Sequence, residues 1–281
     1  MIKNKEYVLI CHPETKKIES SYIISNETPP ISGKLLKLQY NNLLSILENE
    51  NIETIKIKPS TMDSVFTQDP FIITPTHVVV GKFCNQLRLE ETESIQKFAR
   101  NLAKHKNISL YNVKTGFLEG GDYLLYKNIS FIMTGQRTSK MAVKNMMKDD
   151  VFGTQKIARI TPDKFASDPT KIHLDLILGF IDNTAVLWRG AKSFIVDVFE
   201  RTGKKIASIP LDEYLKSLGF RIFEITDYEQ KTFTCNFLCF RNFVLTQNPR
   251  LSEATQRKVI VANVSELNKM GGGLHCSVKQ L

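Results

Sequence analysis

The chain predicts an α/β or α+β fold, because two hydrophobic periods alternate along it. Short apolar runs, rich in β-branched and aromatic residues and bounded by polar residues or glycine, read as strands. Between them lie stretches with apolar residues at helical spacing. Alternation of the two kinds implies helices layered on sheets.

The first strand-like run is YVLIC, residues 7–11, followed by a helical pattern in LLKLQYNNLLSILENE, residues 35–50. VFTQDPFIIT (65–74) and HVVVGKF (77–83) precede the helical ETESIQKFARNLAKH (91–105). DYLLY (122–126) and SFIMTG (130–135) precede the helical SKMAVKNMMKDD (139–150). LILGFID (176–182) and TAVLW (184–188) precede the helical LDEYLKSLG (211–219). FLCF, NFVLT and KVIVA complete the set between 237 and 262. Strand pairs thus repeatedly precede a helix. Identity between the units is too weak to establish a repeat from sequence alone.

At 281 residues the chain is long enough for one large core. No low-complexity segment or long linker divides it, so residues 1–281 read as a single domain. Apolar residues make up 42% and charged residues 24%, the balance of a soluble globular protein. The net charge of +9 comes from scattered lysines, with no like-charged block and no basic–aromatic interleaving. A nucleic-acid partner is therefore not expected. There is no Gly-x-Gly-x-x-Gly and no Walker loop, so nucleotide binding has no motif to support it. The five cysteines, Cys11, Cys84, Cys235, Cys239 and Cys276, form no Cys-x-x-Cys pair and have no histidine at ligand spacing. That pattern favours free thiols over disulfides or zinc, and no metal or cofactor is expected. The five-residue apolar run near the start is too short for a signal peptide core, and no later run has membrane-spanning length. An intracellular, cytoplasmic protein without a membrane partner is the expectation.

Three segments carry charge where core is expected: MDSVFTQDPFIIT with Asp63 and Asp69, FLEGGDYLLY with Glu119 and Asp122, and IHLDLILGF with His173 and Asp175. Each alone is compatible with a solvated strand end. A buried carboxylate is costly unless something pairs with it. A fourth segment, MGGGLHCSVKQL, places Cys276 after a glycine run. Glycine permits turns and close approaches that a side chain forbids. A thiol with a histidine can act as nucleophile with general acid and base. Extra carboxylates suit a planar cation with several N–H donors.

FTQDPF, FLEGGD, HLD and GGGLHC, in that order, resemble the guanidine-modifying enzymes: arginine deiminases, dimethylarginine dimethylaminohydrolases, agmatine deiminases and amidinotransferases. The resemblance runs from Asp63 to the last residue. It implies a pseudo-fivefold α/β propeller of ββαβ modules, and a metal-free hydrolase of guanidino C–N bonds. It implies Cys276 as nucleophile, His173 as general acid and base, and Glu119 as the partner that holds the histidine. Asp69 would grip the guanidinium, Asp63 would meet the substrate amino group, and Arg88 and Arg137 would hold an α-carboxylate. Asp122 would orient its neighbours, and Gly272 and Gly273 would let the last turn press close to the substrate. Asp175 stands where arginine deiminases have Asp and dimethylarginine hydrolases have Lys, which favours an unmethylated guanidinium.

Other features pull elsewhere. Gln68 replaces the Arg of the deiminases' FTRDP and the Glu of the dimethylarginine hydrolases. The long helical insertion of arginine deiminases is missing, since residues 18–61 alone separate the first strand from MDSVFT. The length is therefore that of a dimethylarginine hydrolase. Amidinotransferases usually lack EGGD, and arginine dihydrolases have Asn in place of Asp69. The expected first substrate is L-arginine, giving citrulline and ammonia. Dimethylarginine is second, an amidinotransferase third, and a non-catalytic guanidine binder the rival from another class. A homodimer stays open.

Overall fold

A computed structural model describes residues 5–13, 30–162 and 168–281. Of the stretch 18–61, residues 18–29 lie outside the described residues. The four helical patterns form helices: α1 (Gly33–Asn49), α2 (Leu89–Lys106), α3 (Lys140–Lys148) and α4 (Leu211–Ser217). Ser32 caps α1 by accepting from the Leu35 N–H, and Ser139 caps α3 by accepting from Ala142. Such caps satisfy orphan donors in the first turn. Acidic Glu90 and Glu91 open α2, and Lys104, His105 and Lys106 close it, each sign matching the helix dipole.

The strands form five separate sheets with one repeated pattern. A central strand pairs antiparallel with one neighbour and parallel with the other. His77–Val80 pairs antiparallel with Phe71–Ile73 and parallel with Ser109–Asn112. Ile129–Met133 lies likewise between Tyr123–Tyr126 and Lys156–Thr161. Thr184–Trp188 lies between Leu178–Ile181 and Arg221–Ile225, and Phe243–Thr246 between Leu238–Cys239 and Lys258–Val261. In the first sheet Tyr7–Cys11 is central, parallel to Glu53–Ile57, and its antiparallel neighbour is Val278–Gln280 from the far end of the sequence. The parallel step needs a crossover, and α1 to α4 supply it in four sheets. In the fifth a short 3-10 segment, Pro249–Ala254, does so. This is a mixed α/β fold, and among the described residues no sheet closes on itself.

Sequence and structure differ at the half-exposed strands. Glu53–Ile57, Ser109–Asn112, Lys156–Thr161, Ile195–Glu200, Lys205–Pro210, Arg221–Ile225 and Val278–Gln280 lie outside the expected runs. In most of them outward-facing polar residues break up the apolar signal; Val278–Gln280 is short, and its polar Lys279 is buried. Conversely, most of VFTQDPFIIT is not strand: Met62–Val65 is a 3-10 turn, and Phe71–Ile73 is the strand portion.

Each helix buries one stripe. Leu36, Tyr40, Leu43 and Leu47 of α1 pack in the core that holds Val8 and Ile10. Ile95, Ala99, Leu102 and Ala103 of α2 pack with Phe71, Val78 and Val80. Ala142, Val143 and Met146 of α3 pack with Ile72, Val79 and Ile132. Leu43 is fully buried, so Leu43→Ala is expected to cost about 2–5 kcal/mol in urea unfolding. A loss well under about 1 kcal/mol would mean that α1 does not anchor the first sheet.

Candidate active site

The four motifs meet through their backbones. The Gln68 N–H donates to the Cys276 carbonyl at 3.0 Å, and the Gly120 N–H donates to the Asp69 carbonyl at 2.8 Å. Thr67 Oγ1 lies 3.1 Å from both the Leu9 and Ser277 carbonyls. Asp122 Oδ1 accepts from the Leu174 N–H at 3.3 Å, tying EGGD to the segment that carries His173. Gly120 and Gly121 are required by space. A Cβ on Gly120 would stand 2.0 Å from the Gln68 carbonyl oxygen, and one on Gly121 would stand 2.7 Å from the His173 ring.

The reactive side chains follow. His173 Nε2 lies 3.0 Å from Glu119 Oε2, and its Nδ1 lies 3.8 Å from Asp69 Oδ1. Asn236 Nδ2 donates to Cys276 Sγ at 3.1 Å, and Asn236 Oδ1 accepts from the Cys276 N–H at 3.1 Å. Asp175 Oδ2 lies 3.7 Å from Cys276 Sγ and 2.7 Å from His275 Nδ1. Asp69, Arg88, Arg137, His173, Gly272 and Cys276 line one narrow cleft. Asp69 Oδ1 and Asp175 Oδ1 are buried, and neither has a hydrogen-bond partner among the described residues.

At three expected positions the structure shows contacts within the protein. Arg88 was expected to hold a substrate carboxylate. Its Nε and Nη2 donate to the two oxygens of Glu91, Nη2 also to the Asp63 carbonyl, and Nη1 to Asp69 Oδ2. Four of its five N–H donors thus serve the protein's own groups. Asp63 is buried, its carbonyl accepts from Arg88 Nη2, and it is not among the residues that line the cleft. The glycines of the last turn make room for protein groups, and Gly272 also lines the cleft. A Cβ on Gly272 would meet the Phe66 ring at 2.4 Å, and one on Gly273 would meet Asn236 Oδ1 at 2.7 Å. Arg137 does line the cleft, with Nη1 3.4 Å from Glu119 Oε1.

Asn236, His275, Glu91 and Lys279 carry site contacts that the sequence reading did not single out. His275 sat beside Cys276 in the motif. Asn236, in TCNFLCF, had no local signal.

The arginine deiminase family matches residues 37–281 of the sequence. The chain belongs to the arginine deiminase family. No curated protein matches it. Among solved structures it is similar to a dimethylarginine dimethylaminohydrolase adduct with S-methyl-L-thiocitrulline, with 18% identity, TM-score 0.78, and coverage of 99% of this chain and 100% of that one. It is similar to a dimethylarginine dimethylaminohydrolase variant from Pseudomonas aeruginosa complexed with citrulline, with 18% identity, TM-score 0.77 and 99% coverage of each chain. It is also similar to the product-bound N-terminal domain of a cyanobacterial arginine dihydrolase, with 16% identity, TM-score 0.74, and coverage of 99% of this chain and 97% of that one. Likeness at this identity speaks for the fold.

The electrostatics of this arginine deiminase family member set its protonation states. Burial opposes charge on His173, but Asp69, Glu119 and Asp122 outweigh it and raise the imidazole to about 10. Burial would raise Glu119, yet the hydrogen bond and charge of His173, with Arg137 and Arg88, hold it below its usual range. Burial pushes Asp122 up to about 7, against the pull of His173. Burial, then Asp175 and Asp69, push the Cys276 thiol well above its usual value, while Asn236 pulls the other way. The resting pair is therefore a neutral thiol and a charged imidazole.

Asp69, Glu119 and His173 also have donor atoms within 4.8 Å of one another. Arg88 and Arg137 already sit on those two carboxylates, so the set is charge-compensated by protein cations and does not fit a metal centre. Among the described residues no helix is long and apolar enough to cross a membrane.

Two outcomes test these charges. The His173 proton stabilises the fold fully below its unfolded pKa of about 6.5, and that contribution is lost as pH rises through about 10. The stability gap between wild type and His173→Gln should therefore shrink between pH 7 and pH 10 in denaturant titrations. A constant gap would mean an uncharged histidine. Arg88→Met strands two buried carboxylates, and should cost about 3–5 kcal/mol by the same measurement.

Proposed function

We propose that this protein is a cysteine-dependent hydrolase that cleaves a guanidino C–N bond, with L-arginine going to citrulline and ammonia as its first substrate. The observation that carries the reading is the pair of buried, undonated oxygens, Asp69 Oδ1 and Asp175 Oδ1, beside a thiol and a charged imidazole. A guanidinium supplies planar N–H donors for both. A thiol paired with a cation ionises more readily. The substrate thus brings the charge that lowers Cys276, which the two aspartates otherwise hold protonated.

As the guanidinium binds, the Cys276 thiol gives its proton to solvent; the thiolate then attacks the guanidino carbon and forms a C–S bond as the C=N pair moves onto nitrogen. The tetrahedral adduct collapses, and the departing nitrogen takes a proton from His173 and leaves as ammonia. His173, now neutral, takes a proton from water as that water attacks the amidino-thioether. Breaking the C–S bond releases citrulline and returns the thiolate. Glu119 holds the imidazole through both proton transfers. Asp122 positions the backbone that carries His173.

Arg137, at the cleft, is the remaining candidate for the substrate α-carboxylate. Residues 1–281 act as one catalytic unit, and the five sheets are arranged as a pseudo-fivefold propeller. The repeated three-strand pattern supports that arrangement. Dimethylarginine is the second reading, favoured by chain length. Against it stands Asp175, because a dimethylated nitrogen has no N–H to donate. An unpaired buried carboxylate costs about 1–3 kcal/mol or more.

Incubation with L-arginine and, separately, with asymmetric dimethylarginine should yield citrulline from arginine alone. Cys276→Ser should abolish turnover. Citrulline from dimethylarginine alone would overturn the substrate choice, and an active Cys276→Ser variant would overturn the mechanism.

A further inference from the structure

Asn236 lies between the helix Asp227–Lys231 and the strand Leu238–Cys239, distant in sequence from each motif of the site. Its main chain is held at both ends. The N–H donates to the Phe233 carbonyl at 2.9 Å, and the carbonyl accepts from the His275 N–H at 3.3 Å. The side chain is 1% exposed and packs against Gly273, where a Cβ would stand 2.7 Å from Oδ1. Its contacts fix which way the amide points. Oδ1 accepts from the Cys276 N–H at 3.1 Å, a role that the amide nitrogen cannot fill. Nδ2 is therefore the atom 3.1 Å from Cys276 Sγ, and it also lies 3.4 Å from the Asp175 carbonyl oxygen. Both of its hydrogens have an acceptor. Among the described residues no other side chain donates to that sulfur.

We propose that Asn236 is a catalytic residue: its Nδ2–H bonds to the Cys276 sulfur and favours the thiolate over the thiol. This rests on the guanidine-hydrolase reading for the reaction that the sulfur performs. A thiol or thioether sulfur is a weak acceptor, whereas a thiolate makes a charge-assisted bond with an N–H. The bond therefore strengthens when the thiol releases its proton to solvent. It weakens as the sulfur's electron pair forms the C–S bond of the amidino-thioether. It strengthens again when water has added to that carbon, the C–S bond breaks and the pair returns to Sγ. One donor thus assists both the formation of the nucleophile and its departure as leaving group.

The surroundings call for such a donor. Asp175 Oδ2 stands 3.7 Å from Sγ, and Asp69 adds a second negative charge. His173, Arg88 and Arg137 line the same cleft, and His275 Nδ1 sits on Asp175 Oδ2 at 2.7 Å. Burial, Asp175 and Asp69 hold the proton on sulfur, while the Gly273 main chain and Asn236 pull against them. A bound guanidinium offsets the two aspartates when the thiolate forms. The ureido group of citrulline is neutral, so it cannot do the same when the thiolate departs. Asn236 is fixed in place for both steps.

Asn236→Leu, close in volume and without donor or acceptor, tests the role. Loss of a charge-assisted bond to the ionised form should cut the thiolate fraction about tenfold. Each remaining thiolate becomes about threefold more reactive, so the net loss is about three- to fourfold. Iodoacetamide labelling at pH 8, read on the Cys276 peptide by mass spectrometry, should slow by that factor. Exposed Cys84 is the rate reference, and buried Cys11 and Cys235 report unfolding by becoming reactive. With L-arginine as substrate, the acidic limb of kcat should move up by about one pH unit with little change in KM. If the Leu variant unfolds, Asn236→Asp keeps an oxygen for the Cys276 N–H, and it should slow labelling further because it adds negative charge to the lost donor. A role confined to holding the turn would lower kcat alike at every pH and leave the acidic limb in place, or leave Asn236→Asp as reactive as wild type. Either result would overturn the role of Asn236 and leave the hydrolase reading standing. Slower labelling of the variant, with no citrulline formed by the wild type, would overturn the hydrolase reading and keep the donor at the sulfur.

Discussion

Everything at this site depends on keeping buried carboxylates compensated. Asp69, Glu91, Glu119, Asp122 and Asp175 are all at most 3% exposed. Unpaired, each would either cost several kcal/mol or take up a proton. The structure resolves this in three ways. Arg88 bridges Glu91 and Asp69, His173 bridges Glu119 towards Asp69, and burial raises Asp122 to about 7. Two oxygens, Asp69 Oδ1 and Asp175 Oδ1, are left without a hydrogen bond, the first of them facing His173 Nδ1 at 3.8 Å. These are the two acceptors to which the proposed guanidinium would donate.

The fold supplies the rigidity such a cluster needs. Glu91 lies in α2, and the other four sit on turns that hydrogen bonds tie to one another. Gln68 to Cys276, Gly120 to Asp69, and Leu174 to Asp122 are the three ties. The glycines at 120 and 121 allow the EGGD turn to lie against Gln68 and His173 without a side chain between. Those at 272 and 273 do the same for Phe66 and Asn236. Geometry this tight leaves charges little freedom to relax, so their mutual fields stay strong. A high thiol and a high imidazole follow from that arrangement.

Asn236 and His275 show how the thiol and its aspartate are oriented. Asn236 contacts both the sulfur and the main chain of Cys276, which fixes the turn and the side chain together. His275 occupies Asp175 Oδ2 and so leaves Oδ1 for a ligand. Arg88 does the same at Asp69, occupying Oδ2. Both aspartates are thus held from one side and open on the other.

The sequence by itself determined the α/β class, the four amphipathic helices and the fully buried strands, because continuous apolar runs and helical spacing are local signals. It also brought forward Cys276, His173, Glu119, Asp69 and Asp175 as the candidate set, because motif order marks them without knowledge of distance. Only the tertiary structure decided which charges face which. Arg88 turns to Glu91 and Asp69, Asp63 lies behind it, and Asn236 reaches a cysteine 40 residues away. Half-exposed strands such as Arg221–Ile225 were likewise settled by pairing partners and not by their own composition. The physical reason is the same in both cases. Strand pairing and charge pairing act between groups distant in sequence, and their strength is set by burial and separation in space.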